Sequence, residues 1–259
     1  MNDAAAVFAS VRNAIAGSIP VAVVTVVKGE GAGQKLAVLK DDVIGTLGSS
    51  SLDEFAIPEA RRLLDDERSL TQTFTTDRGE VDLFFESFPP PPTLLIFGAV
   101  HVAQSLATFG KLLGFRVIVT DARAKLLTPE RFPTADELIQ GWPEDAIVQT
   151  PIDRNTYVAI LTHDPKFDEP ALMGTLSTDA RYIGAVGSRK TSADRRVRLI
   201  EAGATEEQLA RIRGPIGLNI GASTPEEMAI SILAEIIAVR HGRDGTPLTS
   251  ATGNIRARV

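Results

Sequence analysis

Apolar positions along the chain alternate between a helical and a strand-like period, and the changes of period divide it into elements. Val7, Phe8, Val11 and Ile15 recur at helical spacing and predict a short amphipathic helix. The β-branched run IPVAVVTVV predicts a strand, and KLAVLKDDVIGTL predicts two strands joined at Asp41 and Asp42. Residues 51–66 carry Leu52, Phe55, Leu63 and Leu64 as the apolar positions of a second helix. LTQTFTT and EVDLFFES predict two more strands, the second alternating so that Val81, Leu83 and Phe85 share a face. Together these elements make a small α+β unit.

The run SFPPPPT then interrupts the pattern. Its four consecutive prolines cannot continue a helix or a sheet interior and favour a stiff spacer. Beyond it, strands are expected at 94–97, 117–120, 146–149, 157–161 and 182–186. Helices are expected at 102–113, 169–177, 191–202, 206–211 and 225–241. This alternation favours a parallel sheet covered on both faces. The last helix has the strongest start: Thr224 as N-cap, Pro225 in the first helical position and Glu227 three residues after the cap. Its body, MAISILAEIIAV, is apolar nearly all round and reads as a buried central helix. The expected organisation is an α+β domain at 1–88, a linker at 89–92, a Rossmann-like domain at 93–242 and a loose tail at 243–259. The fold class is α/β, with the parallel sheet domain preceded by the smaller one.

Composition narrows the function. A net charge of −6 argues against a nucleic-acid partner, which usually selects a basic surplus. The absence of cysteine removes disulfides, thiolate metal ligands and thiol nucleophiles together, and fits a reducing compartment. The longest apolar runs are far short of the roughly 20 residues that cross a bilayer, and the N-terminus lacks a signal-peptide pattern. A cytoplasmic protein with no membrane span is expected.

Candidate chemistry gathers where the strands of the second domain should end. Residues 93–123 run strand, glycine turn, helix, strand and acid, the opening unit of a dinucleotide-binding fold. The usual G-x-G-x-x-G is altered: Gly98 is followed by Val100 and Ala103 where the other glycines belong. Val100 puts a branched side chain where a pyrophosphate would approach the backbone. Gly98, Ala99, Val100 and His101 thus form either a phosphate-binding helix start or a structural turn. Asp121 stands where an acid receives ribose hydroxyls, or it pairs with Arg123. His163 and Asp164 follow the fourth strand, as an acid–base or ligand-orienting pair or as a helix cap with an exposed histidine. Gly187, Ser188, Arg189 and Lys190 offer a hydroxyl and two cations before a helix, a set suited to a small oxyanion. Alternatively, Arg195, Arg196 and Arg198 form a solvated helix face, with only Arg189 and Lys190 near the cleft. The glycine-spaced loop GPIGLNIGASTPEE would line the same cleft. Three scattered histidines do not make a zinc site, and no nucleophile–base arrangement supports hydrolysis.

The segments GAVHVAQSLA, LGFRVIVTDAR, RFPTAD, AILTHD, ARYIGAVGSRKT and GPIGLNIGASTPEEMAISILAEIIAVRHG together resemble the XdhC/CoxI family, the xanthine dehydrogenase accessory factors. The resemblance implies a cofactor-binding chaperone more than an enzyme. Such a protein holds the molybdenum cofactor (molybdopterin), supports its sulfuration by a cysteine desulfurase and delivers it to a molybdenum hydroxylase; a homodimer is possible. Four departures stand out, one of them the shortened loop KGEGAGQK after the first strand. The family turn GAGHVG is GAVHVA here, LGSSSLDE occupies the place of a cysteine motif, and a second cysteine motif has no counterpart near residues 75–79. Two alternatives are an NAD(P)-dependent oxidoreductase using the same cleft, which Val100 disfavours, and a non-enzymatic interaction subunit with a vestigial pocket.

Overall fold

A computed structural model describes residues 4–77 and 79–251. The chain forms two compact units, Met1–Pro90 and Pro91–Ala251.

The first unit contains helix α1 (Ala4–Ala16), strands β1 (Val21–Lys28), β2 (Lys35–Val38) and β3 (Val43–Gly45), helix α2 (Ser50–Asp65), and strands β4 (Leu70–Thr76) and β5 (Gly79–Phe88). The strands make an antiparallel sheet in the order β3-β2-β1-β5-β4. Ser49 caps α2 by accepting the Leu52 N–H at 3.3 Å. Leu52, Ala56, Ala60 and Leu63 then face Val24, Val26, Leu83 and Phe85 in one apolar cluster. The other face of the sheet meets α1 through only half of the expected stripe, Val7 and Val11. Val7 and Ala14 are buried, whereas Phe8 is 68% exposed and Ile15 50%.

The second unit runs β6 (Thr93–Phe97), α3 (His101–Leu112), β7 (Arg116–Asp121), β8 (Glu137–Gln140), α4 (Pro143–Gln149), β9 (Thr156–Ile160), α5 (Pro165–Leu176), β10 (Tyr182–Ala185), α6 (Arg189–Glu201), α7 (Glu206–Ala210), β11 (Ile212–Arg213) and α8 (Pro225–Arg240). All six strands are parallel, in the order β11-β10-β9-β6-β7-β8. The chain grows outward from β6 in one direction, then returns to β9 and grows outward in the other. This is the doubly wound arrangement, with its reversal between β6 and β9. One face of the sheet carries α3 and α8 over Leu94, Ile96, Val117 and Tyr157. The opposite face buries Leu95, Ile118, Val158 and Ile183 under α4, α5 and α6.

Several expected elements change. Residues 146–149 are not a strand: they end α4, which starts with Pro143, Glu144 and Asp145, while Asp145 accepts the Trp142 N–H at 3.1 Å. The strand is supplied by Glu137–Gln140, whose polar ends hide its single fully buried position, Ile139. α5 begins at Pro165, four residues earlier than expected, because Asp164 caps it. α8 starts as expected, with Thr224 and Glu227 exchanging side chain-to-backbone bonds of 3.2 and 3.1 Å. It is not central, however, since Ile230 is 52% exposed and Ile237 37%. Part of the expected tail, 252–259, lies outside the described residues.

Arg195 departs most from the solvated face expected of it. Its side chain is 3% exposed and donates Nη2 to Asp168 Oδ2 at 3.0 Å and to the Val186 carbonyl at 2.9 Å. Asp168 also accepts from the Thr162 hydroxyl. Burial raises the Asp168 carboxyl above its ordinary range, against the pull of Thr162 and Arg195. The network joins the ends of β9 and β10 to α5 and α6. Breaking a buried pair leaves one charge uncompensated, so Asp168→Ala is expected to lose about 3–5 kcal/mol of stability in urea unfolding. A loss below about 1 kcal/mol, the range of an exposed pair, would show that the network does not hold these elements together.

Candidate functional site

In open α/β sheets, ligands bind outside the carboxyl ends of the strands where the order reverses. Gly98 leaves β6 there with φ +106°, its N–H bonded to the Thr120 carbonyl at 2.8 Å. A Cβ at Gly98 would lie 2.5 Å from Thr162 Cγ2, so glycine is required by the neighbouring strand end, ligand or no ligand. Ala99 donates its N–H to Asp121 Oδ2 at 2.8 Å. Asp121 also accepts from Arg123: its N–H at 2.8 Å, Nε at 2.9 Å and Nη2 at 2.7 Å. Each oxygen of this buried carboxylate therefore receives two N–H groups of its own chain, which fills its acceptor capacity. Burial pushes the Asp121 pKa up, but the bonds from Arg123 and Ala99 outweigh it and hold the carboxyl below its ordinary range. The acid placed for ribose hydroxyls is instead a clamp on the glycine turn.

Val100 is half-buried against the cluster under α3 and α8, and gives α3 no side-chain cap. His101 is exposed in the first turn of α3. At the ends of β6, β7 and β9, beside α4 and α5, lies a cavity of about 10 Å³, lined by Gly98, Thr120, Asp121, Thr162 and Phe167, room for about one water. The Thr120 hydroxyl has no partner there among the described residues. Trp142 stacks on Phe167 with ring centroids 4.6 Å apart and planes 6° from parallel. After β9, His163 and Asp164 are exposed, and Asp164 caps α5 through the Lys166 N–H at 3.0 Å.

An open space lies further along the sheet edge. Gly187 follows β10 with φ +148°, Ser188 caps α6 by accepting the Thr191 N–H at 3.0 Å, and Arg189 and Lys190 are exposed in the first turn. Gly187 and Arg189 line a cavity of about 450 Å³ together with the 215–222 loop and Ser231 of α8. That loop is strapped down. Glu235 Oε2 accepts from the Gly217 N–H at 2.8 Å and from the Tyr182 hydroxyl at 2.5 Å, and Ser231 donates to the Leu218 carbonyl at 2.6 Å. Burial, with Glu235 beside it, pushes the Tyr182 hydroxyl well above its ordinary pKa. Gly217 has φ +98°, and a Cβ there would lie 2.5 Å from Ser231 Oγ.

The expected single cleft is therefore two places. Gly98, Ala99 and Asp121 meet Thr162 around a water-sized hole, while Gly187 and Arg189 meet the glycine loop around a cavity large enough for a ligand. Reading the sequence placed Thr162 at the strand ends but missed Trp142 and Asp168, and it did not foresee the burial of Arg195. One signal was present for Arg195: it lies four residues before Leu199, so both fall on the same face of α6, the buried one. Among the described residues no group of three or more His, Cys, Asp or Glu could hold a metal ion. No helix of the described chain is long and apolar enough to cross a membrane.

Residues 94–236 match the XdhC Rossmann domain, and residues 14–75 match the XdhC and CoxI family. The chain is 30% identical over 224 residues to the uncharacterized protein YqeB of Escherichia coli K12, covering 82% of this chain and 41% of that protein. It is 35% identical over 159 residues to a probable xanthine dehydrogenase subunit of Bacillus subtilis 168, covering 61% and 46%. It is 29% identical over 157 residues to the molybdenum cofactor insertion chaperone PaoD of E. coli K12, covering 61% and 43%. The chain spans less than half the length of these curated relatives. A crystal structure described as a xanthine dehydrogenase from Bacillus halodurans superposes with a TM-score of 0.56 at 21% identity, over 93% of this chain and 97% of that one; it shows the shared fold.

The clamp has a stability signature. Because the Asp121 pKa is lowered on folding, its contribution is present above the unfolded carboxylate range and is lost as pH falls through the folded value. Asp121→Ala leaves the buried Ala99 N–H without an acceptor and is expected to cost about 1–3 kcal/mol at neutral pH. The difference from wild type should shrink in acid. A difference that is constant from neutral to acid pH would contradict the clamp.

Proposed function

This chain belongs to the XdhC and CoxI family, and we propose that it is an accessory protein that holds the molybdenum cofactor and hands it to a molybdenum hydroxylase. The observation that carries this reading is the contrast between the two ends of the sheet edge. Beside the glycine turn, Asp121 is bonded to its own chain and the cavity between Gly98, Asp121 and Thr162 is only about 10 Å³, while about 450 Å³ stands open beside Arg189. A compact pterin with one phosphate needs less room than a dinucleotide and one strong anion contact. The Arg189 guanidinium offers that contact in the fork geometry that suits phosphate, and Lys190, exposed in the same helical turn, adds positive charge. Gly187 and the glycines of the 215–222 loop keep backbone close to the ligand without side chains in the way. The PaoD relative, a molybdenum cofactor insertion chaperone by name, supports the same assignment.

On this reading the chain makes and breaks no bond. It binds, orients and shields its cargo. With no cysteine in the sequence, it offers no thiolate to molybdenum or sulfur, so sulfuration falls to a cysteine desulfurase acting on the bound cofactor. A nicotinamide-dependent oxidoreductase is disfavoured because Asp121 has no acceptor capacity left for a ribose.

Molybdenum cofactor released from a molybdoenzyme, mixed with the protein and passed over a gel-filtration column, should co-elute with it as pterin fluorescence. Arg189→Ala should weaken retention by about tenfold, the size of one charge-assisted contact. NAD(H) and NADP(H) should leave the melting temperature unchanged. Absence of pterin in the protein fraction would overturn the assignment, and stabilisation by a nicotinamide nucleotide would favour the oxidoreductase.

A further inference from the structure

α8 is apolar nearly all round, yet one side of it is left in water. Between Glu227 and Arg240 its sequence holds a single charged residue, Glu235, and that carboxylate is turned to the Gly217 N–H and the Tyr182 hydroxyl. Ala229, Ile232, Leu233 and Ile236 are buried in the core cluster beneath. Ile230 and Ile237, two turns apart on the outer side, are exposed at 52% and 37%, with the smaller Ala234 between them. The Ser105 hydroxyl reaches Glu226 at 3.4 Å, so α3 lies alongside the same side of α8. Further along α3, Phe109 is half-buried and Leu112 is 80% exposed, while Lys111 is paired with Asp136. The result is an apolar stripe with no charge in its interior. Scattered exposed apolar residues are ordinary, as with Val197 and Ile200 of α6, which sit among Asp194, Arg196 and Glu201. A contiguous apolar stripe marks an interaction surface.

We propose that this stripe is the contact surface of a homodimer, in which α8 packs antiparallel against α8 of a second copy. The stripe is its own complement under a two-fold rotation. With the axis beside Ala234, Ile230 falls opposite Ile237 of the second copy, and Glu226 falls opposite His241. Each contact then occurs twice, as an isologous interface requires. Ala234 lets the two helices approach closely at the axis, and the isoleucines fill the space on either side. The exposed His241 donates to the Glu226 carboxylate at each end. A different protein would need no such symmetry between the two ends of the stripe, and this favours a second copy. α8 has 16 residues and is about 24 Å long, so with α3 beside it the face is on the order of 500 Å² per copy. That is smaller than the roughly 800 Å² per partner of a standard interface, and the dimer is of the weak, micromolar class. None of the stripe residues lines the cavity beside the glycine loop, so the dimer stands whatever that cavity holds.

Sedimentation equilibrium of the full chain over a concentration series tests this. A monomer–dimer equilibrium is expected, with a dissociation constant in the micromolar range. Ile230→Glu and Ile237→Lys should each weaken the dimer at least about tenfold, because each buries unpaired charge at the contact, and should leave the circular dichroism of the monomer unchanged. In the double variant, each glutamate faces a lysine of the second copy, and most of the lost association should return. Val197→Glu, on the exposed side of α6, should leave association as it is. A chain that stays monomeric throughout the series, a dimer untouched by either single variant, a double variant no better than the single ones, or a dimer lost in Val197→Glu would overturn the proposal.

Discussion

Arg195 lies between Asp168 and the Val186 carbonyl, and this buried contact sets the shape of the sheet edge around it. An isolated charge cannot be kept out of water, so the guanidinium and the carboxylate must stay together, and the elements that carry them follow. Asp168 belongs to α5 and takes the Thr162 hydroxyl at the end of β9. Thr162 thereby stands against Gly98, where no Cβ would fit, and the cavity between Gly98, Asp121 and Thr162 has the volume of about one water. On the other side, Arg195 fixes the register of α6 and hence of Arg189, which borders the open cavity.

The glycine turn shows how a binding motif can keep its backbone and change its use. Gly98 retains its left-handed conformation, Asp121 its position after the second strand, and α3 its place after the turn. Yet the carboxylate faces Ala99 and Arg123, and every lone-pair site on it is taken. The open cavity lies in the far half of the sheet, where Glu235 and Ser231 strap the 215–222 loop to α8. A strapped loop is already ordered before a ligand arrives, and less binding energy is lost in ordering it.

Much of the fold was legible in the sequence because period and punctuation agree. The TPEE start of α8, the β-branched strands and the proline run each carry their own physical reason. What failed were places where tertiary context overrides local pattern. A short strand with one buried residue, Ile139, has too little periodicity to be seen, and the apolar AIV of α4 mimics a strand. At the candidate site, the residue types drew attention to Gly187, Ser188 and Arg189, whereas the sequence left Asp121 between a ligand and Arg123 and did not foresee the burial of Arg195. A carboxylate can turn toward a ligand or toward its own backbone, and an arginine in a basic run can face water or the core. Only the neighbours brought by the fold decide between these.

The division of the sheet edge into a closed crevice and an open cavity is tested most directly by hydrogen–deuterium exchange of the protein with and without bound molybdenum cofactor. Protection is expected in peptides covering residues 187–192 and 214–222, with exchange at 97–103 unchanged. Protection concentrated at 97–103 and 121–123, with the 214–222 loop unaffected, would contradict the account.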